Sequence, residues 1–342
     1  MRGKMDFFDF LTAVGGLALF LYGMNLMGEG LQGFQGGRME YILKKSASNP
    51  LKAMLVGAGV TALMQSSSAV TVLTVGFTGS GIMTLEQAAG IIMGANVGTT
   101  VTAWILGLAG IDSSSFLVRM LKPASFAPVL AIVGVVMQMG AHRDRQKRIA
   151  AVLVGFALLM FGMDTMSGAV KPLMNQKFFT DMLTGLSFHP MLGMLAGTAF
   201  TAAIQSSSAS IGILQILCMT GEISYGAAIP VIMGQNIGTC ATAMLAGIGA
   251  SPNAKRATLI HLYFNVIGTA FFMTAFLVIG RLHPLSLLQD AATPFGIAAI
   301  HSLFNITSVI LLLPFSGLLV KLAYLTVPQK TRTLFPVPPS LR

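Results

Sequence analysis

The sequence predicts an all-α integral membrane protein of two inverted repeats, with re-entrant helical hairpins and broken transmembrane helices. Three observations lead to this fold class: an apolar composition, a series of long apolar segments and an internal duplication. The 342 residues are 54% hydrophobic and only 9% charged, and the mean hydropathy is +0.77. Water-soluble domains are much more polar, so most of the surface is expected to face lipid.

Seven apolar segments are long enough to cross about 30 Å of hydrocarbon as helices. They comprise residues 10–32, 84–110, 119–139, 149–170, 222–249, 257–280 and 292–325. An odd number of crossings would place the two termini on opposite sides of the membrane.

The basic residues indicate which side is cytoplasmic. The net charge of +10 does not indicate a nucleic-acid partner, because the basic residues form no stripe and few aromatic residues accompany them. With seven crossings, 14 of the 21 Lys and Arg fall on one side: Arg38, Lys44, Lys45, Lys52, Arg143, Arg145, Lys147, Arg148, Lys255, Arg256, Lys321, Lys330, Arg332 and Arg342. Positive residues collect in cytoplasmic loops. We expect a multi-pass protein of the inner (plasma) membrane with its N-terminus outside and its C-terminus in the cytoplasm.

An internal duplication divides the chain. A shift of 140 residues aligns positions 49–103 with 189–243 without a gap, and 21 of these 55 positions are identical. The copies predict a first repeat at 1–140, a second at 141–285, and an additional membrane helix with a short cytosolic tail at 286–342. Three crossings per copy would place the second copy upside down, an arrangement typical of secondary transporters.

Each copy contains a polar sequence between two short apolar stretches. Gln65, Ser66, Ser67 and Ser68 in the first copy correspond to Gln205, Ser206, Ser207 and Ser208 in the second. The stretch 50–64 would span about 22 Å as a helix, too short to cross the membrane. We therefore expect a re-entrant hairpin with the polar sequence at its tip, surrounded by protein or by a water-filled cavity.

The next apolar segment of each copy carries Gly-x-Asn-x-Gly-Thr in its middle. These sequences begin at Gly94 and Gly234 and include Asn96, Thr99, Asn236 and Thr239. Two glycines and several hydrogen-bonding side chains predict a broken helix with free carbonyl groups. Close helix packing by the glycines is the alternative.

These residue types suit a small oxyanion together with sodium. The returning half of each hairpin would present unpaired N–H groups and partial positive charge, and its serine hydroxyls can donate to anion oxygens. No Lys or Arg lies in the middle of a predicted span. A buried anion therefore needs another counter-charge, which sodium bound by hydroxyl, amide and carbonyl oxygens would provide.

The paired Gln-Ser-Ser-Ser-Ala sequences, each followed by Gly-x-Asn-x-Gly-Thr, resemble the type II sodium-dependent phosphate cotransporter family and its bacterial relatives. The resemblance spans about residues 10–280. It implies sodium-coupled phosphate symport by alternating access, with phosphate held between the two tips by the Gln and Ser residues at 65–68 and 205–208. It implies sodium ligands among Gln65, Ser68, Asn96, Thr99, Thr100, Gln205, Ser208, Asn236 and Thr239.

One departure from the family pattern concerns the segment after the second broken helix. His261-Leu262-Tyr263-Phe264-Asn265 fits the family there, but the first half offers only Lys122-Pro123-Ala124-Ser125-Phe126. The sodium stoichiometry is therefore left open. His261 and His301 each begin His-x-x-Phe-Asn, for which packing is favoured over a proton path or a metal site.

Several alternatives to phosphate transport stay open. A carrier of another oxyanion or small solute has the same chemistry, and a non-transporting receptor or scaffold is a third possibility. An enzyme is not expected, because the chain has no Gly-x-Ser-x-Gly elbow and its serines lack a paired base. We expect no cofactor and no metal other than sodium. The lipid bilayer is the expected environment, and a homodimer is left open.

Overall fold

The computed structural model describes residues 6–33, 41, 49–110, 123–170, 172, 181, 185, 189–282 and 285–328. Nearly all of them are α-helical, with short 3-10 turns and one isolated β-bridge between Ser224 and Ala291. The helices are α1 Phe7–Gly33, α2 Pro50–Met64, α3 Ser67–Gly79, α4 Leu85–Gly107, α5 Pro123–Gly140, α6 Asp144–Val170, α7 Pro190–Ile204, α8 Ser207–Cys218, α9 Tyr225–Gly247, α10 Pro252–Leu282, α11 Pro294–Leu312 and α12 Ser316–Thr326.

Six helical segments within the described ranges are long and apolar enough to cross a membrane. They are α1, α4, α6, α9, α10 and the continuous stretch Pro294–Thr326 that contains α11 and α12. The remaining predicted span, 119–139, coincides with α5, whose described apolar part, Ser125–Gly140, is shorter. Residues 119–122 lie outside the described residues, as do several of the basic residues that set the predicted orientation. The seven-crossing topology therefore stays a prediction.

Two pairs of short helices, each joined by a two-residue turn, occupy the positions predicted for the hairpins, while the re-entrant path itself stays a prediction. Asn49 caps α2 by accepting a hydrogen bond from the Lys52 N–H at 2.8 Å, and Pro50 follows as the first helical residue, where its missing N–H removes no helical bond. In the second copy α7 begins at Pro190 and α8 follows after two residues. The arms of 12 to 15 residues extend about 18 to 22 Å, less than a bilayer core.

The predicted breaks in the helices that follow the hairpins are absent. Helix α4 is one continuous α-helix from Leu85 to Gly107, and α9 is continuous from Tyr225 to Gly247. The expectation of broken transmembrane helices was therefore wrong. Carbonyl groups freed by helix breaks are not available here as sodium ligands.

Close packing explains the glycines of these helices. A Cβ atom on Gly94 would overlap the carbonyl oxygen of Met54 on α2, and one on Gly234 would overlap that of Met194 on α7. Gly98 likewise lies against the backbone of Ala58. Small residues let helix backbones approach closely inside a membrane. The glycines thus allow the first helix of each hairpin to pack closely against the long helix that follows the hairpin.

Helices α1 and α6 form a further close pair. Gly23 on α1 lies against Gly155 and Leu159 on α6, and Gly162 on α6 lies against Phe20. The Phe20 ring is fully buried and reaches Gly212 on α8. The α1–α6 pair is thereby packed against the second hairpin, next to its tip.

Candidate binding site between the hairpin tips

The tips of the two hairpins meet. The hydroxyl oxygens of Ser67 and Ser207 lie 3.4 Å apart, joining α3 to α8 across 140 residues of sequence. Gln65 and Gln205 form the turns, with φ of 54° and 58°. These left-handed conformations are uncommon for residues other than glycine, and their occurrence at both tips reflects one turn geometry used twice.

A polar cavity of about 200 Å³ lies beside the meeting point. Both tips and one face of α1 contribute to its wall: Met24, Asn25, Gly28, Gln32, Met64, Gln65, Ser66, Ser67, Ser68, Gln205, Ser206, Ser207 and Ser208. All eight residues predicted to hold phosphate thus line one cavity. Since a water molecule takes up about 30 Å³ in the liquid, a small tetrahedral oxyanion and several waters would fit.

The wall of this cavity carries hydrogen-bond donors but no Lys or Arg among its described residues. Helices α3 and α8 both begin at the cavity, so the positive ends of two helix dipoles point at it. Ser66 and Ser206 each cap their helix by accepting from the N–H of Ala69 and Ala209. The N–H groups of the first turn and the hydroxyls of Ser67 and Ser207 are therefore placed to attract an anion.

The two copies differ at their glutamines. Gln65 is buried, its side-chain oxygen accepts from the Thr102 hydroxyl at 2.9 Å, and its amide donates to the Ala62 carbonyl. Gln205 is exposed, and the matching Thr242 hydroxyl donates to its backbone carbonyl instead, at 3.5 Å. Gln65 is thus held to α4 through its side chain, whereas Gln205 is an exposed residue of the cavity wall.

A second, much smaller cavity of about 10 Å³ is lined by Ser67 and Ser207 together with residues of the long helices. The further lining residues are Asn96, Thr99, Asn236, Thr239, His301 and Asn305. Four of these were predicted sodium ligands. Another predicted ligand, Thr100, lines neither cavity, and its hydroxyl donates to the Val97 carbonyl at 2.7 Å. A cavity of this size holds about one water or small ion.

Paired asparagines hold the helices around the small cavity. The Asn96 amide donates to Asn265 at 2.6 Å, and the Asn236 amide donates to Asn305 at 2.7 Å. In both pairs, the second asparagine also donates to the carbonyl of the histidine four residues before it. The same arrangement therefore occurs twice, once through α10 and once through α11.

Sequence reasoning missed the roles of His301, Asn305 and Asn265. The usable signal was the repeated His-x-x-Phe-Asn, which occurs forty residues apart. From the sequence, residues 122–126 were expected to match 261–265. In the structure, residues 301–305 match instead, because Asn305 bonds to Asn236 as Asn265 bonds to Asn96. Lys122 lies outside the described residues. Both cysteines, Cys218 and Cys240, are free and buried.

Comparison with known proteins identifies the family of the chain. The profile of a family described as Na+/Pi-cotransporter matches the chain twice, over residues 19–168 and 158–300. The chain belongs to the Na+/Pi-cotransporter family. The double match reflects the internal duplication, and both matches include a hairpin and the long helix after it. Membership in this family makes the chain a membrane transport protein rather than a member of an enzyme family.

Relatives in the Na+/Pi-cotransporter family differ in length. The chain is 32% identical to the uncharacterized protein YqeW of Bacillus subtilis, covering 92% of this chain and 97% of that protein. It is 28% identical to a putative inorganic phosphate export protein, YjbB, of Salmonella typhimurium, covering 91% of this chain but only 54% of YjbB. A stretch of 110 residues, 31% of this chain and 16% of the relative, is 36% identical to the human sodium-dependent phosphate transport protein 2B. No solved structure is significantly similar.

Proposed function

We propose that this protein is a secondary active transporter that carries inorganic phosphate together with sodium by alternating access. The observation that carries the proposal is the meeting of the two Gln-Ser-Ser-Ser tips at one polar cavity, with Ser67 and Ser207 in hydrogen-bond contact. Family membership supports phosphate as the substrate and sodium as the coupling ion. The chain spans about half the length of the YjbB proteins, so its substrates are inferred from its own residues.

Phosphate would bind in the larger cavity. Two helix N-termini and the serine hydroxyls of both tips supply donors from two sides, which suits an ion with four oxygens. The exposed Gln205 amide can reach into the same cavity, whereas Gln65 is held by Thr102. Hydroxyl and amide donors alone leave the charge of a phosphate dianion largely uncompensated, so a cation must accompany it.

Sodium would bind in the smaller cavity. Thr99 and Thr239 offer hydroxyl oxygens, and Asn96 and Asn236 offer amide oxygens, which are the neutral hard ligands that such a cation prefers. Ser67 and Ser207 line both cavities. A cation behind these serines would lie next to the bound anion, and each ion would lower the electrostatic cost of binding the other.

Alternating access would follow from the duplication. The larger cavity borders α1 through Asn25 and Gly28, whereas the matching residues of α6, Asp164 and Ser167, do not line it. With the predicted orientation this part of α1 would lie toward the cytoplasm, and the cavity would then be inward-facing. In the inverted-repeat scheme, Gln205 would take the buried arrangement of Gln65 and Gln65 the exposed arrangement of Gln205. The cavity would then open to the opposite side of the membrane.

The direction of net phosphate movement is set by the ion gradients. The name of YjbB, a putative inorganic phosphate export protein, favours export as a second candidate for the physiological direction. Transport of another oxyanion uses the same donors, and competition by sulfate or arsenate against labelled phosphate distinguishes the substrates.

Purified protein in liposomes tests the proposal. Labelled phosphate should accumulate when sodium is high outside, and uptake should fall to background when potassium replaces sodium. An added membrane potential, worth about 2.3 kcal/mol per charge per 100 mV, reports whether the cycle moves net charge. Equal phosphate uptake with and without sodium would contradict the coupling, and no phosphate flux in either condition would contradict the function.

A further inference from the structure

The wall that α1 contributes to the larger cavity differs chemically from the wall that the tips contribute. Its polar side chains are Asn25 and Gln32. The Asn25 amide nitrogen donates to a carboxylate oxygen of Glu29 at 2.9 Å, and the Gln32 amide nitrogen donates to the Met64 carbonyl at 3.0 Å. Acceptors of the protein therefore hold both amide nitrogens.

The orientation of these two amides follows from their partners. A carboxylate and a backbone carbonyl accept hydrogen bonds but do not donate them, so each amide must turn its nitrogen, and not its oxygen, toward its partner. The side-chain oxygens of Asn25 and Gln32 accept no hydrogen bond from the described residues. These two oxygens are thus left to meet a solute, and they can only accept.

We propose that Asn25 and Gln32 select a protonated oxyanion, because their side-chain oxygens can accept a hydrogen bond from the hydroxyl group that phosphate retains at neutral pH. The inference rests on the proposed function, since it concerns the anion bound between the tips. The tips supply donors to the other oxygens, through the hydroxyls of Ser67 and Ser207 and the first N–H groups of α3 and α8. Donors on one wall and acceptors on the other fit hydrogen phosphate, which carries both kinds of group.

The same α1 wall would discriminate against sulfate. Sulfate resembles phosphate in size and shape but holds no proton at neutral pH, so its oxygens would face the amide oxygens of α1 without a hydrogen between them. A site that hydrogen-bonds a hydroxyl group of its substrate discriminates strongly against an analogue without that hydroxyl, because a polar group of the site then stays unpaired. Arsenate retains a proton as phosphate does and should be accepted.

Glu29 is a positioning residue in this scheme. Its side chain is exposed and lines neither cavity, so it acts on the solute through the Asn25 amide. A lysine in its place would donate a hydrogen bond and favour the opposite amide orientation, with the Asn25 oxygen toward position 29 and the nitrogen toward the cavity. The substitution E29K would thereby turn an acceptor of the wall into a donor.

Competition in liposomes tests the inference. Uptake of labelled phosphate is driven by a sodium gradient at mildly alkaline pH, where phosphate, arsenate and sulfate are all mainly dianions but only sulfate lacks a proton. The readout is the half-inhibiting concentration of sulfate divided by that of arsenate. We expect this ratio to be about ten or more in the wild type. Thr12 is exposed on α1 and lines neither cavity, so the control T12V should keep the ratio.

Variants of α1 assign the selectivity to these residues. N25L and Q32L each remove one acceptor and should lower the ratio several-fold, and the double variant should lower it further. E29K should also lower the ratio while every lining residue stays in place, and it replaces N25L if N25L does not elute as a single folded species.

Two results would overturn the inference while leaving phosphate transport intact. One is equal inhibition of the wild type by sulfate and arsenate. The other is an unchanged ratio in N25L, Q32L and E29K. Absence of phosphate uptake by the wild type would overturn the proposed function together with the inference.

Discussion

At the scale of single residues, Ser67 and Ser207 are central to the candidate site, because each lines both cavities and contacts the other. In the proposed site, removal of either hydroxyl would take away a donor to the anion and an oxygen facing the small cavity. A hydrogen bond to a charged group contributes about 1.5 to 3 kcal/mol. In the proposed site the two serines would therefore contact phosphate and sodium at once, and substitution of either serine should affect the binding of both ions.

We expect S67A and S207A each to raise the phosphate concentration for half-maximal uptake by about tenfold or more. The double variant should lose less than the product of the two single effects, because the serines are in contact. The measurement is labelled-phosphate uptake in liposomes. Ser80, an exposed serine at the far end of α3, gives the matched control S80A. Unchanged uptake in both single variants would contradict the assigned role.

The pair Asn96–Asn265 gives a second prediction at this scale. Truncation of Asn96 leaves the buried side-chain oxygen of Asn265 without its donor, and truncation of Asn265 leaves the Asn96 amide without its acceptor, at a cost of about 1 to 3 kcal/mol. In a double-mutant cycle on thermal stability, N96A and N265A should couple by about 0.5 to 3 kcal/mol. The combination of N96A with N305A, whose hydrogen bond is to Asn236, should be closer to additive. Equal coupling in both combinations would show that the pairing is not specific.

At the scale of elements, the positions of the short helices and of the turns between them were predictable, whereas the unbroken course of α4 and α9 was not. The length of 50–64 and the polar sequence after it indicated a turn at Gln65, where the structure has it. Gly94 was ambiguous, because a glycine in an apolar helix serves equally as a break or as a close contact. The deciding atom, the Met54 carbonyl oxygen, belongs to another helix. Sequence periodicity within one segment carries no information about it.

We expect G94A to destabilise the protein, because the added methyl group forces α4 away from α2. Overpacking of this kind costs about 1 to 3 kcal/mol. A methyl group added to Gly59 on α2 would meet no neighbouring atom within 4 Å, so G59A should be neutral or slightly stabilising through its higher helix propensity. Thermal unfolding in detergent compares the two. Equal melting temperatures for G94A and G59A would contradict the packing explanation of the glycines.

The re-entrant path of each hairpin can be tested by labelling its ends. Lys52 and Ser80 flank the first hairpin, and Met191 and Glu222 flank the second; all four are exposed. Single cysteines at the first two positions should react with a membrane-impermeant maleimide from the cytoplasmic side. Cysteines at the other two should react from outside. The native Cys218 and Cys240 are buried and give little background. Labelling of the two ends of one hairpin from opposite sides would contradict a re-entrant path.

For the whole molecule, the duplication accounts for both the predictable and the unpredictable parts of the site. All eight Gln and Ser residues of the tips were identified from the 140-residue repeat, and they line one cavity. His301 and Asn305 were missed because they lie beyond the aligned copies, on α11. The hydrogen bond that Asn305 accepts from Asn236 on α9 matches the one that Asn265 on α10 accepts from Asn96 on α4. Only the folded chain brings residues 96, 236 and 305 to one place.

The central claim is that the two tips form one substrate site, and a crosslink tests it most directly. In the S67C/S207C variant, with Cys218 and Cys240 replaced, a mild oxidant should form a disulfide between the tips, since the serine oxygens lie 3.4 Å apart. Phosphate with sodium should slow its formation. The disulfide should stop phosphate uptake in liposomes, and a reductant should restore it. A variant that forms no disulfide, or that transports equally well with the disulfide formed, would contradict the account.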